Sequence, residues 1–182
     1  MQRYSAKSIA LHWLVAMLII AAFILGFYMT DLKISPTKMK LYAWHKWIGV
    51  TVLGLVAIRL LVRLTSSTPA YPAHGKIWEK QVAQITHVLL YILMFAVPIS
   101  GYLYTYAAGF PVVYLELFEL PALIAPSPEW KDSFKEAHEV LTTGMLVLVL
   151  LHFAAALKHH LIDKDEVLVR MLPASFSKKE PS

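Results

Sequence analysis

The chain has 182 residues, of which 58% are hydrophobic and only 16% are charged, and its formal net charge is +5. A soluble domain usually carries about 25% charged residues, so the composition excludes an ordinary soluble protein and favours an integral membrane protein. The absence of cysteine excludes thiolate metal sites, iron–sulfur clusters, c-type haem attachment and disulfides.

The first apolar run extends from about Ser8 to Thr30, contains no charged residue and carries His12 near its start. Its basic flank resembles that of a secretory signal, but the apolar region continues for about 20 residues and lacks a small-residue cleavage site. We therefore interpret it as a retained membrane span. A short polar connection from Asp31 to Met39 follows.

The second apolar run begins near Lys40 and carries His45 in its first turns. Arg59 and Arg63 lie one turn apart near its end. The prolines of the segment from Thr65 to Gly75 are expected to break any helix there.

The third run, from about Trp78 to Ala107, carries His87 near its start. The longest connection follows, from Gly109 to Trp130. Within it, Ser127 and Pro128 have the pattern of an N-cap followed by a first-turn proline. We expect the fourth helix from about Glu129 to Leu161, longer than a membrane requires.

These runs predict an all-α, integral membrane, up-and-down four-helix bundle over residues 1–173 and a polar C-terminal tail over 174–182. Of the 17 Lys and Arg residues, 11 lie at the N-terminus, in the second connection or in the tail, and 6 lie on the other side. Because basic loops stay inside, both termini are expected to be cytoplasmic. Basic residues in short loops also favour contacts with anionic lipid over nucleic acid.

Two histidines of the fourth helix, His138 and His152, are 14 residues apart. In an α-helix they lie within about 40° of one face and about 21 Å apart along the axis. Because an intramembrane histidine is costly without a partner, two on one stripe suggest two functional sites, one near each side of the membrane.

The other histidines recur at matching depths. Counted from Pro36 and Pro128, His45 and His138 lie 9 and 10 residues into their helices, which predicts an outer pair. On the inner side three histidines occupy similar depths, and spacing alone does not select two of them. These are His12, His87 and His152.

Facing imidazoles with no carboxylate inside the spans favour haem over a zinc or iron(II) carrier. Small residues after the histidines leave room for a flat macrocycle, although ordinary helix packing also explains them; they include Gly49, Gly54 and Gly144. Arg59 and Arg63 are candidates to pair with propionates of the inner haem, and the positive-inside rule alone explains them equally well. A histidine-lined metal transporter remains an alternative.

Several motifs resemble those of the bacterial dihaem cytochrome b561 family, four-helix quinone-linked b-type cytochromes. The resemblance runs from Tyr4 to Pro173 and touches all four spans. Its motifs are LHW at Leu11 to Trp13, WHKWIG, RLLVRL followed by TP, THVLLY, PISGYL, AHE, LLHFAAALKHH and LVRMLP.

The resemblance implies two haem b groups in a multi-pass protein of the bacterial inner membrane. It implies His45 with His138 as axial ligands of the outer haem iron and His12 with His152 as those of the inner one; His87 would then lie beside the inner site. It also implies electron transfer from an outer-face donor to ubiquinone. That donor would be a small species such as superoxide or a periplasmic redox protein, and the alternative is a membrane anchor for a periplasmic dehydrogenase.

Overall fold

The computed structural model describes residues 2–67, 69–70 and 76–173. Its four long helices are α1 (Ala6–Asp31), α2 (Pro36–Thr65), α3 (Ile77–Ala107) and α4 (Pro128–Leu161). All four spans predicted from the sequence are confirmed as helices long and apolar enough to cross a membrane. The predicted tail over 174–182 lies outside the described residues.

Three of the helices begin at a serine cap. The hydroxyl of Ser5 accepts a hydrogen bond from the backbone of Ser8, Ser35 caps α2 in the same way, and Ser127 caps α4. The last two caps are followed by a proline, whose missing N–H costs nothing in a first turn. The N-cap predicted at Ser127 is therefore confirmed.

The helices pack in chain order, α1 against α2, α2 against α3 and α3 against α4, whereas the backbones of α1 and α4 scarcely approach each other. The core lies midway along the bundle and draws buried side chains from every helix. They are Val15, Ile19, Val52, Val56, Met94 and Met145. We call the end that carries the α1–α2 and α3–α4 connections the hairpin end, and the opposite end the termini end.

The connection between α3 and α4 contains a feature that the sequence analysis missed, an antiparallel hairpin of β1 (Val113–Tyr114) and β2 (Phe118–Glu119). Strands of two residues are too short to show alternation in a sequence. The hairpin lies beside α2, where the indole of Trp47 donates to the carbonyl of Val113 at 2.7 Å.

The segment after α4 folds back over the termini end. A 3₁₀ turn over Val169–Met171 is held there by the indole of Trp13, which donates to the carbonyl of Met171 at 2.8 Å. Arg3 donates to the carbonyl of Leu172, and Arg170 donates to the carbonyl of Ala70 at 2.6 Å. This segment therefore ties the chain's two ends together.

Replacing Trp13 with phenylalanine is expected to loosen this segment, because the ring is kept while its hydrogen bond, worth about 1 kcal/mol, is lost. Limited proteolysis should then cut between residues 163 and 173 faster than in the wild type. Trp78→Phe is the matched control, since the Trp78 side chain is 56% exposed at the start of α3. Equal cleavage of the two variants would contradict the anchoring role of Trp13.

Candidate histidine sites inside the bundle

At the hairpin end, the structure brings together the two histidines that spacing paired. The ring centroids of His45 and His138 are 6.3 Å apart and the ring planes are nearly perpendicular, at 87°. The rings reach each other from α2 and α4 across the gap between the two helical hairpins.

The ring of His138 is oriented by α3. Its Nδ1 lies 2.9 Å from the carbonyl oxygen of Val97 and 3.2 Å from the hydroxyl of Ser100. A carbonyl can only accept, so Nδ1 carries the proton and Nε2 is left with a free lone pair. This is the usual arrangement of a metal-binding histidine, whose second nitrogen donates to the protein.

Two glycines let neighbouring helices approach these rings. A Cβ on Gly101 would lie 2.9 Å from Cε1 of His138, and one on Gly26 would lie 3.5 Å from Cε1 of His45. Neither glycine was among the small residues selected from the sequence. Of those, Gly54 and Gly144 are exposed and have nothing within 4 Å of a built Cβ.

At the termini end, the ring of His152 has two histidine neighbours. Its centroid lies 6.4 Å from that of His12 on α1 and 5.3 Å from that of His87 on α3. All three candidates of the sequence analysis are thus brought to one place.

Arg59 is part of the same cluster. One of its terminal nitrogens lies 2.9 Å from Nδ1 of His12, and because a guanidinium only donates, Nδ1 is the acceptor. The guanidinium also lies over the ring of Tyr91, 5.4 Å from its centroid, while that of Arg63 lies 5.8 Å from the centroid of Tyr4. Within the described residues, neither arginine forms a salt bridge with a carboxylate.

The His45–His138 pair and the His12–His152 pair each have the spacing of two imidazoles on one metal ion. With metal–nitrogen bonds of about 2 Å and each nitrogen about 1 Å from its ring centre, the two centroids should be about 6 Å apart. In the described part of the chain, Nε2 of these four histidines makes no hydrogen bond, and Nδ1 of His45 is buried without one. His12 must change tautomer to bind a metal at Nε2, because a neutral ring that accepts from Arg59 at Nδ1 carries its proton on Nε2. With the gap between α1 and α4, these residues fit two haems.

A cavity of about 430 Å³ opens at the termini end next to this cluster. Met171 of the segment after α4 contributes to its wall, and most of the other lining residues have polar side chains. They include Tyr4, Ser8, Arg59, Arg63, Gln84 and His87.

His159, at the end of α4, has different surroundings. Its Nδ1 lies 2.6 Å from Asp165 and 3.2 Å from Asp163, and it does not line the cavity. Lys158 lies 2.6 Å from Asp163, and this hydrogen bond lowers the pKa of the Asp163 carboxyl. A lysine already supplies the cation here, so we assign this cluster to structure and not to a metal.

Comparison with known proteins gives a consistent result. The sequence profile described as prokaryotic cytochrome b561 matches residues 3–174. Cytochrome b561 homolog 2 of Escherichia coli is 36% identical over 97% of this chain and 94% of its own length, and homolog 1 is 30% identical over 95% and 98%. A protein named probable superoxide oxidase CybB, from Yersinia pestis, is 29% identical over 94% and 97%.

Proposed function

This chain belongs to the prokaryotic cytochrome b561 family, and on that premise we propose that it transfers electrons across the membrane through two b-type haems to ubiquinone. Membership alone makes it a multi-pass membrane cytochrome that takes part in haem-linked electron transfer. The observation that carries the rest is the presence of two histidine pairs, spaced 6.3 and 6.4 Å, at opposite ends of one bundle.

We assign the axial ligands as His45 with His138 at the hairpin end and His12 with His152 at the termini end. The choice of His12 over His87 is supported by spacing, since the 6.4 Å between His12 and His152 is nearer than the 5.3 Å between His87 and His152 to the distance of about 6 Å expected for two imidazoles on opposite sides of one iron. His87 remains a neighbour of the inner site and lines the cavity.

Bound haem would supply the one-electron chemistry, and the chain's own residues fix where it occurs. Val97 and Ser100 hold the ring of His138 with its proton on Nδ1. Arg59 donates to Nδ1 of His12, so His12 would bind iron through Nε2 only after Arg59 turns away from Nδ1 and the ring changes tautomer. The guanidinium groups of Arg59 and Arg63 would pair with the negatively charged propionates of the haem at the termini end. The apolar core between the two sites keeps water and other charges away from the path between them.

We propose that the hairpin end faces the periplasm, as supported by the basic residues, 11 of 17, in the segments expected on the opposite side. The cavity at the termini end is then the candidate site for the ubiquinone head group. Its size, its hydroxyl, amide and imidazole groups and its position beside His87 support this assignment.

Superoxide is the donor we favour. In that reaction two superoxide anions lose one electron each to give two O₂, and one ubiquinone takes up both electrons and two protons to become ubiquinol. A relative similar over nearly the whole chain is named a probable superoxide oxidase. Lysines near the start of α2, Lys38, Lys40 and Lys46, would attract an anion toward His45, although Glu116, Glu119 and Glu129 oppose this field.

Purified protein in detergent is expected to contain two b haems per chain and to reduce added ubiquinone when superoxide is generated. The rate should fall as salt is added, because attraction at a distance is screened over about 10 Å at 0.1 M. Lys40→Gln tests the same field, with Lys7→Gln at the other end as its control. Haem reduction only by a larger co-purifying protein would instead support the alternative, a membrane anchor for a periplasmic dehydrogenase.

A further inference from the structure

The connection over residues 108–127 carries a surface that electron transfer does not explain. At its hairpin, apolar side chains point away from the bundle: Leu117 is 76% exposed, Phe118 is 54% exposed and Leu115 is 46% exposed. Complete burial of an exposed leucine is worth about 1.5–3 kcal/mol, and these side chains forgo the exposed fraction of that amount in water.

The turn that presents these side chains is strained. Leu115 and Glu116 have φ values of 51° and 62°, in the left-handed region that glycine and asparagine favour. For other residues this conformation costs about 1–2 kcal/mol each. A compensating contact is therefore expected at the tip, and within the described residues the bundle does not bury these three side chains.

Backbone carbonyls on both sides of the tip have hydrogen-bond partners within the protein, as a segment at the edge of a bilayer requires. Four consecutive carbonyls before the tip accept hydrogen bonds. The side chains of Lys46 and Trp47 donate to Pro111 and Val113, and the backbone N–H groups of Leu120 and Leu117 donate to Val112 and Tyr114. On the other side of the tip, Tyr106 and Tyr102 donate to the carbonyls of Leu120 and Pro121. Backbone groups need partners from the protein where water is scarce, as in a bilayer.

The hairpin also lies at the depth of a lipid-facing span. It contacts Trp47 and, through the hydroxyls of Tyr114 and Thr51 at 2.8 Å, a residue one turn further along α2. Thr51 is six residues, about 9 Å, closer to the middle of the bundle than His45. Uncharged residues run without a break from Trp47 to Ile58, so the hairpin lies against the beginning of the apolar span.

We propose that the hairpin is inserted into the membrane interface, with Leu115, Leu117 and Phe118 among the upper acyl chains and Glu116 and Glu119 toward the headgroups. Its surface continues the lipid-facing surface of α2, and its two carboxylates keep it at the boundary rather than in the hydrocarbon core. The hairpin is thus a lipid-contacting element and not a docking surface for a periplasmic partner.

Because the chain has no cysteine, a single introduced thiol reports on one position. The full-length, haem-loaded Leu117→Cys protein is labelled with a nitroxide and reconstituted at low density into vesicles of phosphatidylethanolamine and phosphatidylglycerol. Collision rates with O₂, which concentrates in acyl chains, and with a nickel chelate, which stays in water, give an accessibility ratio. Val147→Cys, in the middle of α4, is the lipid reference, and Asp132→Cys, near its start, is the water reference.

The O₂-to-nickel ratio at position 117 is expected to exceed that at position 132 by at least about threefold and to approach that at position 147. Leu115→Cys should give the same result, which guards against a label that distorts the turn. A water-like ratio at either position would overturn the proposal. A lipid-like ratio found only at high protein density would also overturn it, since a second copy would then be the cover. Neither failure bears on the haem ligands or on ubiquinone reduction.

Discussion

The His152→Ala protein is expected to retain one b haem per chain where the wild type retains two, and His12→Ala is expected to give the same loss. His152 is the residue whose ring lies beside both other inner candidates, 6.4 Å from His12 and 5.3 Å from His87. An iron bound by two imidazoles loses one of its two protein bonds in either variant. Haem per chain, with a reduced-minus-oxidised spectrum, is the measurement.

His87→Ala is the matched control, since it removes an imidazole from the same cluster without removing an assigned ligand. It should keep both haems and change the spectrum of the inner one only slightly. Loss of a haem from this variant, with retention in His12→Ala, would show that the inner pair is His87 with His152. Equal loss from all three would indicate that the cluster needs each ring for its shape.

Gly101→Ala is expected to remove the outer haem while leaving the helices intact. The added Cβ would lie 2.9 Å from Cε1 and 3.1 Å from Nδ1 of His138, closer than side chains approach. The ring would have to leave the carbonyl of Val97, which holds it at 2.9 Å. Alanine is favoured over glycine in a helix by about 0.5–1 kcal/mol, so weaker helix formation cannot explain a loss.

Two other glycine-to-alanine variants test whether the loss of haem depends on how closely the added Cβ approaches an imidazole. Gly26→Ala places its Cβ 3.5 Å from the ring of His45, an ordinary contact, and should leave haem content near that of the wild type. Gly54→Ala, exposed on α2 with nothing within 4 Å, should change nothing. Full retention of both haems in Gly101→Ala would mean that His138 is not confined by α3, and its orientation would then depend on other contacts.

Much of the architecture is determined by the sequence itself. Long uncharged runs can be stable only as helices in lipid, because every backbone group must then be paired within its own segment. Serine followed by proline defines the starts of α2 and α4 because capping is a local interaction. The pairing of His45 with His138 also follows from local geometry, since a constant rise per residue converts position into depth.

The tertiary structure was needed to distinguish histidines that lie at the same depth in the membrane. His12 and His87 occupy similar depths, and their distances from His152 differ because α3 packs closely against α4 whereas a gap separates α1 from α4. The contact of Gly101 with His138 and the hydrogen bond from Arg59 to His12 join residues 37 and 47 positions apart in sequence. The hairpin beside α2 and the segment closing the termini end depend on side chains that donate to distant carbonyls. Periodicity and composition describe single segments, whereas these contacts depend on how the segments pack together.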